Sequence, residues 1–201
     1  MTEISTFPSA INISKESAPH NIEAEQALLG ALLVNNDVYD RIANIVNETH
    51  FFDPVHGKIF EVAATRIKNN SLASPVTLKA FLEDDPGLNE LGGSGYLVRL
   101  AGASISIFAT RDYAELIREL ATRRSLIEIG TEIAGQAGTI DVDNHPKEQI
   151  IEAEQKLYEL AETGQTGSGF QSFLKAITDA VNMANSAYQR EGGLVLSLIH
   201  I

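Results

Sequence analysis

Apolar residues in this chain recur at helical spacing along almost its whole length, and strict alternation of apolar and polar residues is nowhere sustained. That single property predicts an all-α fold. Asn21 is placed to cap a helix starting at Ile22, with Glu23 and Glu25 in its first turn and Leu28, Leu29, Leu32 and Leu33 on one face. Asn35 and Asn36 punctuate, and Val38, Ile42 and Ile45 mark a second short helix. Asp53-Pro54 starts a third: Asp caps, and Pro fits the first helical position, where no N–H is needed. Ile59, Val62, Ala63 and Ile67 continue it, and Asn69-Asn70-Ser71 ends it. Thr77 is expected to cap a helix over Leu78 to Leu82, and Asp85-Pro86-Gly87 reads as a turn.

The pattern then lengthens. Tyr113, Ile117, Leu120, Ile127 and Ile133 form a stripe between Arg111 and Ala137, with Leu116 beside it. After a loop over Gly138 to Asn144, Pro146 opens another helix, with Ile150, Leu157 and Leu160 expected on one face. Two long helices joined by a short loop predict an antiparallel hairpin. Glu162 to Gly169 has a linker composition and a reach of about 16 Å. Beyond it, Phe170, Phe173, Leu174, Ile177, Val181 and Ala184 mark the cleanest amphipathic stretch in the chain. Burying its five large side chains would contribute up to roughly 8–15 kcal/mol before entropy costs, so this helix needs a docking surface.

The expected organisation is therefore a disordered arm over 1–18, a globular multi-helix head over 19–110 and a hairpin over 111–163. A linker over 164–169 and one amphipathic helix over 170–191 follow. The last ten residues, 192–201, are atypical: Val195 to Ile201 is apolar, uncharged and β-prone, an aggregation hazard that reads as a truncation or an artefact. The first residues lack the basic and apolar regions of a secretory signal, and no apolar run is long enough to span a bilayer, so a cytoplasmic location is expected. The chain contains no cysteine, which excludes disulfides and thiolate metal sites.

Candidate chemistry is sparse. Gly92-Gly93-Ser94-Gly95 lacks the Gly-Lys-Ser/Thr ending of a phosphate loop, and the only Gly-Lys pair, Gly57-Lys58, has Phe52 where the upstream glycine is required. Both stretches read as ordinary connections. The five histidines show no zinc spacing, and His56 is expected half-buried on a helix. Glu83-Asp84-Asp85 reads as a solvated helix end. No catalytic, cofactor-binding or metal-binding residue is assigned. The net charge of −12 argues against tight autonomous DNA binding, which relies on phosphate neutralisation. The only basic cluster, Arg118, Arg123 and Arg124, reads as a solvated or paired face.

Four blocks in order resemble the DnaB-type bacterial replicative helicases: Pro19 to Gly30 (PHNIEAEQALLG), Phe52 to Phe60 (FDPVHGKIF), Gly92 to Leu97 (GGSGYL) and Tyr113 to Glu119 (YAELIRE), with Arg124 to Ile127 also fitting. The resemblance covers roughly residues 19 to 194. It implies the N-terminal region of a helicase that unwinds duplex DNA at the replication fork, with hairpins pairing between subunits into the collar of a hexameric ring. Tyr113, Ile117, Leu120, Ile127, Leu157 and Leu160 then become candidates for the subunit or partner interface. The resemblance also implies primase, and a helicase loader, as partners. Phe170, Phe173, Leu174, Ile177 and Val181 would dock on the adjacent subunit's motor domain. ATP and Mg²⁺ are implied for the intact protein only, as is DNA binding through the motor; the chain as given lacks the Walker A loop and is expected to be inactive alone. The alternative is a free-standing helical adaptor that binds replisome proteins through the same hairpin.

Overall fold

In the computed structural model, residues 17–103, 109–139 and 145–163 are described below. The chain divides into two compact units, Met1–Thr166 and Gly167–Ile201. All the described residues belong to the first, and the segment carrying Phe170, Phe173, Leu174, Ile177 and Val181 lies outside them.

Every regular element among the described residues is helical: α1 (Ile22–Val34), α2 (Val38–Ile42), α3 (Pro54–Lys68), α4 (Pro75–Leu82), α5 (Pro86–Glu90), α6 (Ser94–Gly102), α7 (Thr110–Ala137) and α8 (Pro146–Thr163), with a 3-10 turn at Glu48–His50. Local chemistry sets the boundaries. The Asn21 side chain accepts from the Ala24 N–H, and that of Asp53 accepts from the Val55 N–H ahead of Pro54, both as the sequence predicts. The α4 cap differs from expectation. Ser74 is the cap, Pro75 is the first helical residue, and Thr77 sits three places on, closing a capping box with its hydroxyl. Asp85-Pro86 repeats the Asp53-Pro54 device and starts the short helix α5, where a simple turn was expected. Gly92 and Gly93, at φ 105° and 62°, make the sharp connection into α6 that only glycine adopts without strain.

α1 is the central helix of the head. It packs against α6, α7, α3 and α2, and Leu28, Leu29 and Leu32 are fully buried. The core is completed by Ile42, Ile59, Leu78, Leu82, Leu97 and Leu100, and by Ala114 and Ile117 of α7. The first three turns of α7 thus belong to the head, and the rest of the helix leaves it. Two close approaches tighten the packing. A Cβ on Gly57 would lie 2.6 Å from the Glu48 carbonyl oxygen, so only glycine lets α3 seat on the 3-10 turn. Asn36 holds the backbone of Ala73 with both ends of its amide, donating to the carbonyl and accepting from the N–H.

The core also contains a polar chain. The Glu25 carboxylate, 2% exposed, accepts from the N–H groups of Phe52 and Asp53 at 2.7 and 3.4 Å and from His56 Nδ1 at 2.7 Å. His56 Nε2 lies 2.6 Å from the Tyr96 hydroxyl, which accepts from Gln26 Nε2. Donor accounting assigns the tautomer: Nδ1–H donates to Glu25, so Nε2 is free to accept the Tyr96 O–H. Burial pushes the Tyr96 phenol above its ordinary range and keeps that proton in place. No buried side-chain polar atom among the described residues lacks a partner. His56 is thus fully enclosed, not half-buried as expected, because its partners come from α1 and α6. Replacing His56 with leucine leaves the carboxylate without its strongest donor. It should lower stability by about 2–4 kcal/mol in urea denaturation; an unchanged midpoint would show that the chain of hydrogen bonds is dispensable.

Candidate interaction surface

The head and hairpin meet at Arg124 on α7. Its guanidinium donates to the carbonyls of Pro19 (2.8 Å) and His50 (2.6 Å) and lies 5.6 Å from the centre of the Phe52 ring. His20 stacks on Phe52 at 4.2 Å. One side chain therefore pins the entry to α1, the 3-10 turn and α7 together. Burial pushes the Arg124 pKa down, while Glu25 opposes the shift. The expected basic cluster resolves into three different situations. Arg123 pairs with Glu119 one turn away, Arg124 is consumed by backbone carbonyls, and Arg118 lines a cavity.

That cavity, about 500 Å³, lies between the segment leading from α2 to the 3-10 turn, the middle of α7, and Leu160 of α8. His50 stands in its wall. Desolvation, followed by the positive charges of Arg118 and Arg124, lowers the His50 pKa from its ordinary value, with Glu48 opposing.

Beyond the head, α7 and α8 run antiparallel and are bridged by Lys156 and Glu132 at 2.6 Å. The face that α8 turns inward carries Gln149, Ala153, Lys156 and Leu160, each partly buried. Its bulkiest apolar residues point the other way. Ile150, Ile151, Leu157 and Tyr158 are 60, 55, 44 and 47% exposed, and Leu126 and Ile133 of α7 are 48 and 36% exposed.

Of the interface candidates named from sequence, Leu157 lies on this outer face. Leu120 and Ile127 are half-buried on α7, and Leu160 is half-buried where α8 borders the cavity. Ile117 is enclosed in the head core and Tyr113 packs against it, so these two stabilise the head and present little to a neighbour. Ile150 was expected to share a face with Leu160 and does not. Ile151, Tyr158 and Leu126 were not singled out from sequence; the i, i+7 pairs 150/157 and 151/158 were the available signal.

The glycine-rich connection into α6 is not built as a phosphate loop. The space over Gly92 and Gly95 is taken by the Arg99 guanidinium, which donates to the Leu91 carbonyl, and no lysine follows these glycines. No group of three potential metal-ligating side chains is found among the described residues. No helix among them is long and apolar enough to cross a membrane.

A closed helical head prolonged by a hairpin with an uncovered apolar face defines an all-α head-and-hairpin domain. The chain belongs to the family of the DnaB-like helicase N terminal domain, whose model matches residues 17–119. It is similar to the replicative DNA helicase DnaB of Rickettsia conorii, 33% identical over 177 residues, and to that of Haemophilus influenzae, 33% identical over 155. These matches cover 88 and 75% of the chain but 36 and 32% of the relatives, so the chain spans about a third of their length. Its fold is that of the N-terminal domain of DnaB helicase from Mycobacterium tuberculosis (TM-score 0.65, 24% identity, 70% of this chain and 98% of that one). It also matches a DnaB-like replicative helicase described with its interactions with primase (TM-score 0.55, 21% identity, 81% of this chain and 35% of that one).

The His50 environment gives a pH prediction. A histidine whose pKa is lowered on folding takes up its proton in the unfolded chain first. Its stabilising contribution is complete above about pH 6.5 and is lost as pH falls from there through the lower folded value. The His50 ring should titrate below the ordinary histidine range when followed by NMR, and His50→Gln should flatten the stability profile between pH 7 and the onset of carboxylate titration. Titration of His50 at or above about 6.5 would contradict the environment described.

Proposed function

We propose that this chain is the N-terminal assembly region of a replicative DNA helicase, in which hairpins from neighbouring copies pair to form the collar of a hexameric ring. The observation that carries this reading is the inverted packing of α8. Ile150, Ile151, Leu157 and Tyr158 face outward, while Leu160 is the one large apolar side chain among the residues of α8 that face α7, beside Gln149, Ala153 and Lys156. Fully burying one such side chain contributes about 1.5–3 kcal/mol, so a pattern that leaves four of them wet is the expected signature of a face covered by another chain. The family membership and the length of the curated relatives support the same reading.

In this reading the collar also receives primase. The solved helicase described with its interactions with primase supports that partner. A helicase loader is a further partner of the intact protein. The segment with Phe170, Phe173, Leu174, Ile177 and Val181 docks on the motor of the adjacent subunit. ATP, Mg²⁺ and DNA are handled by the portion of the relatives that lies outside this chain's match, in the cytoplasm.

Light scattering on sized fractions tests the assembly role. The chain should associate with rising concentration, and replacing Ile150 and Leu157 together with aspartate should weaken association by at least about a hundredfold while leaving the helical circular dichroism intact. Equal association by the variant and the parent chain would remove the basis for the collar.

A further inference from the structure

Of the four arginines on α7, two are supplied with acids by the helix itself and Arg124 is held by the carbonyls of Pro19 and His50, which leaves Arg118. Arg111 pairs with Glu115 and Arg123 pairs with Glu119, each at i, i+4 spacing. One turn to either side of Arg118 stand Ala114 and Thr122, and its guanidinium makes no ion pair or hydrogen bond with any described residue. Arg118 instead borders the head–hairpin cavity. At about 500 Å³, the cavity falls in the size range of small-molecule sites.

The cavity walls combine two kinds of surface. Asn44, Asn47 and Thr49 from the head and Thr122 and Ser125 from α7 supply hydrogen-bonding groups. Ile45, Val46, Ala121 and Leu160 supply apolar ones. Two guanidiniums, Arg118 and Arg124, border it against a single acid, Glu128. In a chain of net charge −12 this is a local inversion of sign. The His50 ring provides a second view of the same field. Burial does most to keep it unprotonated, both arginines add to that, and Glu48 opposes them. Arg124 is held by two carbonyls, so it contributes charge, while no described residue takes a donor of Arg118.

We propose that the head–hairpin cavity is a binding site for a small oxyanion, a phosphate or carboxylate group borne on a partly apolar body, with Arg118 as the residue that contacts the anion. A planar guanidinium with free donors takes either group in bidentate fashion. The polar side chains of the head and of α7 complete the shell, and Ile45, Val46 and Leu160 receive the apolar part. Binding would neutralise the field on His50 and tie the head to both helices of the hairpin.

The test uses the 201-residue chain, isothermal titration calorimetry and NMR of the Arg118 Nε–H and the His50 ring. Inorganic pyrophosphate represents the phosphate source, and an N-acetyl-leucyl-glutamate amide represents the carboxylate source. Saturable binding of either probe, with a shifted Arg118 Nε–H and an upward move of the His50 titration, is the expected result; which probe binds identifies the source. Arg118→Gln should weaken binding by about tenfold or more. Lys147→Gln, at the far end of the hairpin, should leave it unchanged. Arg118 is outside the core, so its replacement should leave the urea midpoint in place, separating lost binding from lost folding. Failure of both probes to bind at up to about 10 mM, or equal losses in the two variants, would overturn the proposal.

Discussion

The Glu25 carboxylate is the constraint on which the head depends. A buried ion is tolerated only where donors replace its lost water, and here all three come from one stretch, Phe52 to His56, at the start of α3. The N–H groups of Phe52 and Asp53 fix the entry to α3, and His56 fixes its first turn. Through His56, the hydroxyl of Tyr96 brings in α6, and Gln26 returns the chain of bonds to α1. Leucines would fill the same space with fewer demands on geometry. A carboxylate that accepts three specific donors selects one arrangement of α1, α3 and α6 from the many that hydrophobic burial permits.

The hairpin inherits its position from that arrangement. Arg124 reaches the carbonyl of Pro19 and that of His50, the latter two residues before the Phe52 N–H that Glu25 holds. Phe52 completes the link, in contact with both the His20 ring and the Arg124 guanidinium. A rigid base gives α7 a defined exit from the head, and Ile117 and Ala121 carry the hydrophobic core into it. The distal turns of α7 and the outer face of α8 then project apolar side chains that the head cannot reach. Stability is concentrated in the head, and the surface available for recognition is concentrated in the hairpin.

How much of this was legible in the sequence follows from the range of the interactions. Helix starts at Asn21 and Asp53-Pro54 were readable because a cap and its acceptor lie within three residues. The α4 start was misplaced by three residues because Ser74 and Thr77 share one capping box, and either end of it resembles the cap. The enclosure of His56 was not readable. Its partners are 31 and 40 residues away, and nothing local distinguishes it from a surface histidine. Periodicity found the hairpin but not its facing. Spacing puts Ile150, Leu157 and Leu160 on one face, yet only Leu160 turns inward, on the side where Lys156 meets Glu132 of the other helix. Likewise the charges of Arg118, Arg123 and Arg124 were visible as a cluster, while their separate partners depend on tertiary placement.

The absence of cysteine allows a direct measurement of whether the outer face of α8 is covered by another copy of the chain. Cysteine would be introduced singly at Ile151, on that face, and at Val76, which is 82% exposed on the head. Maleimide labelling rates would then be followed as protein concentration rises. The account predicts that labelling at position 151 slows progressively while labelling at position 76 does not. Equal rates at both positions across the whole concentration range would contradict it, and the outward apolar residues of α8 would then have no partner in a second copy.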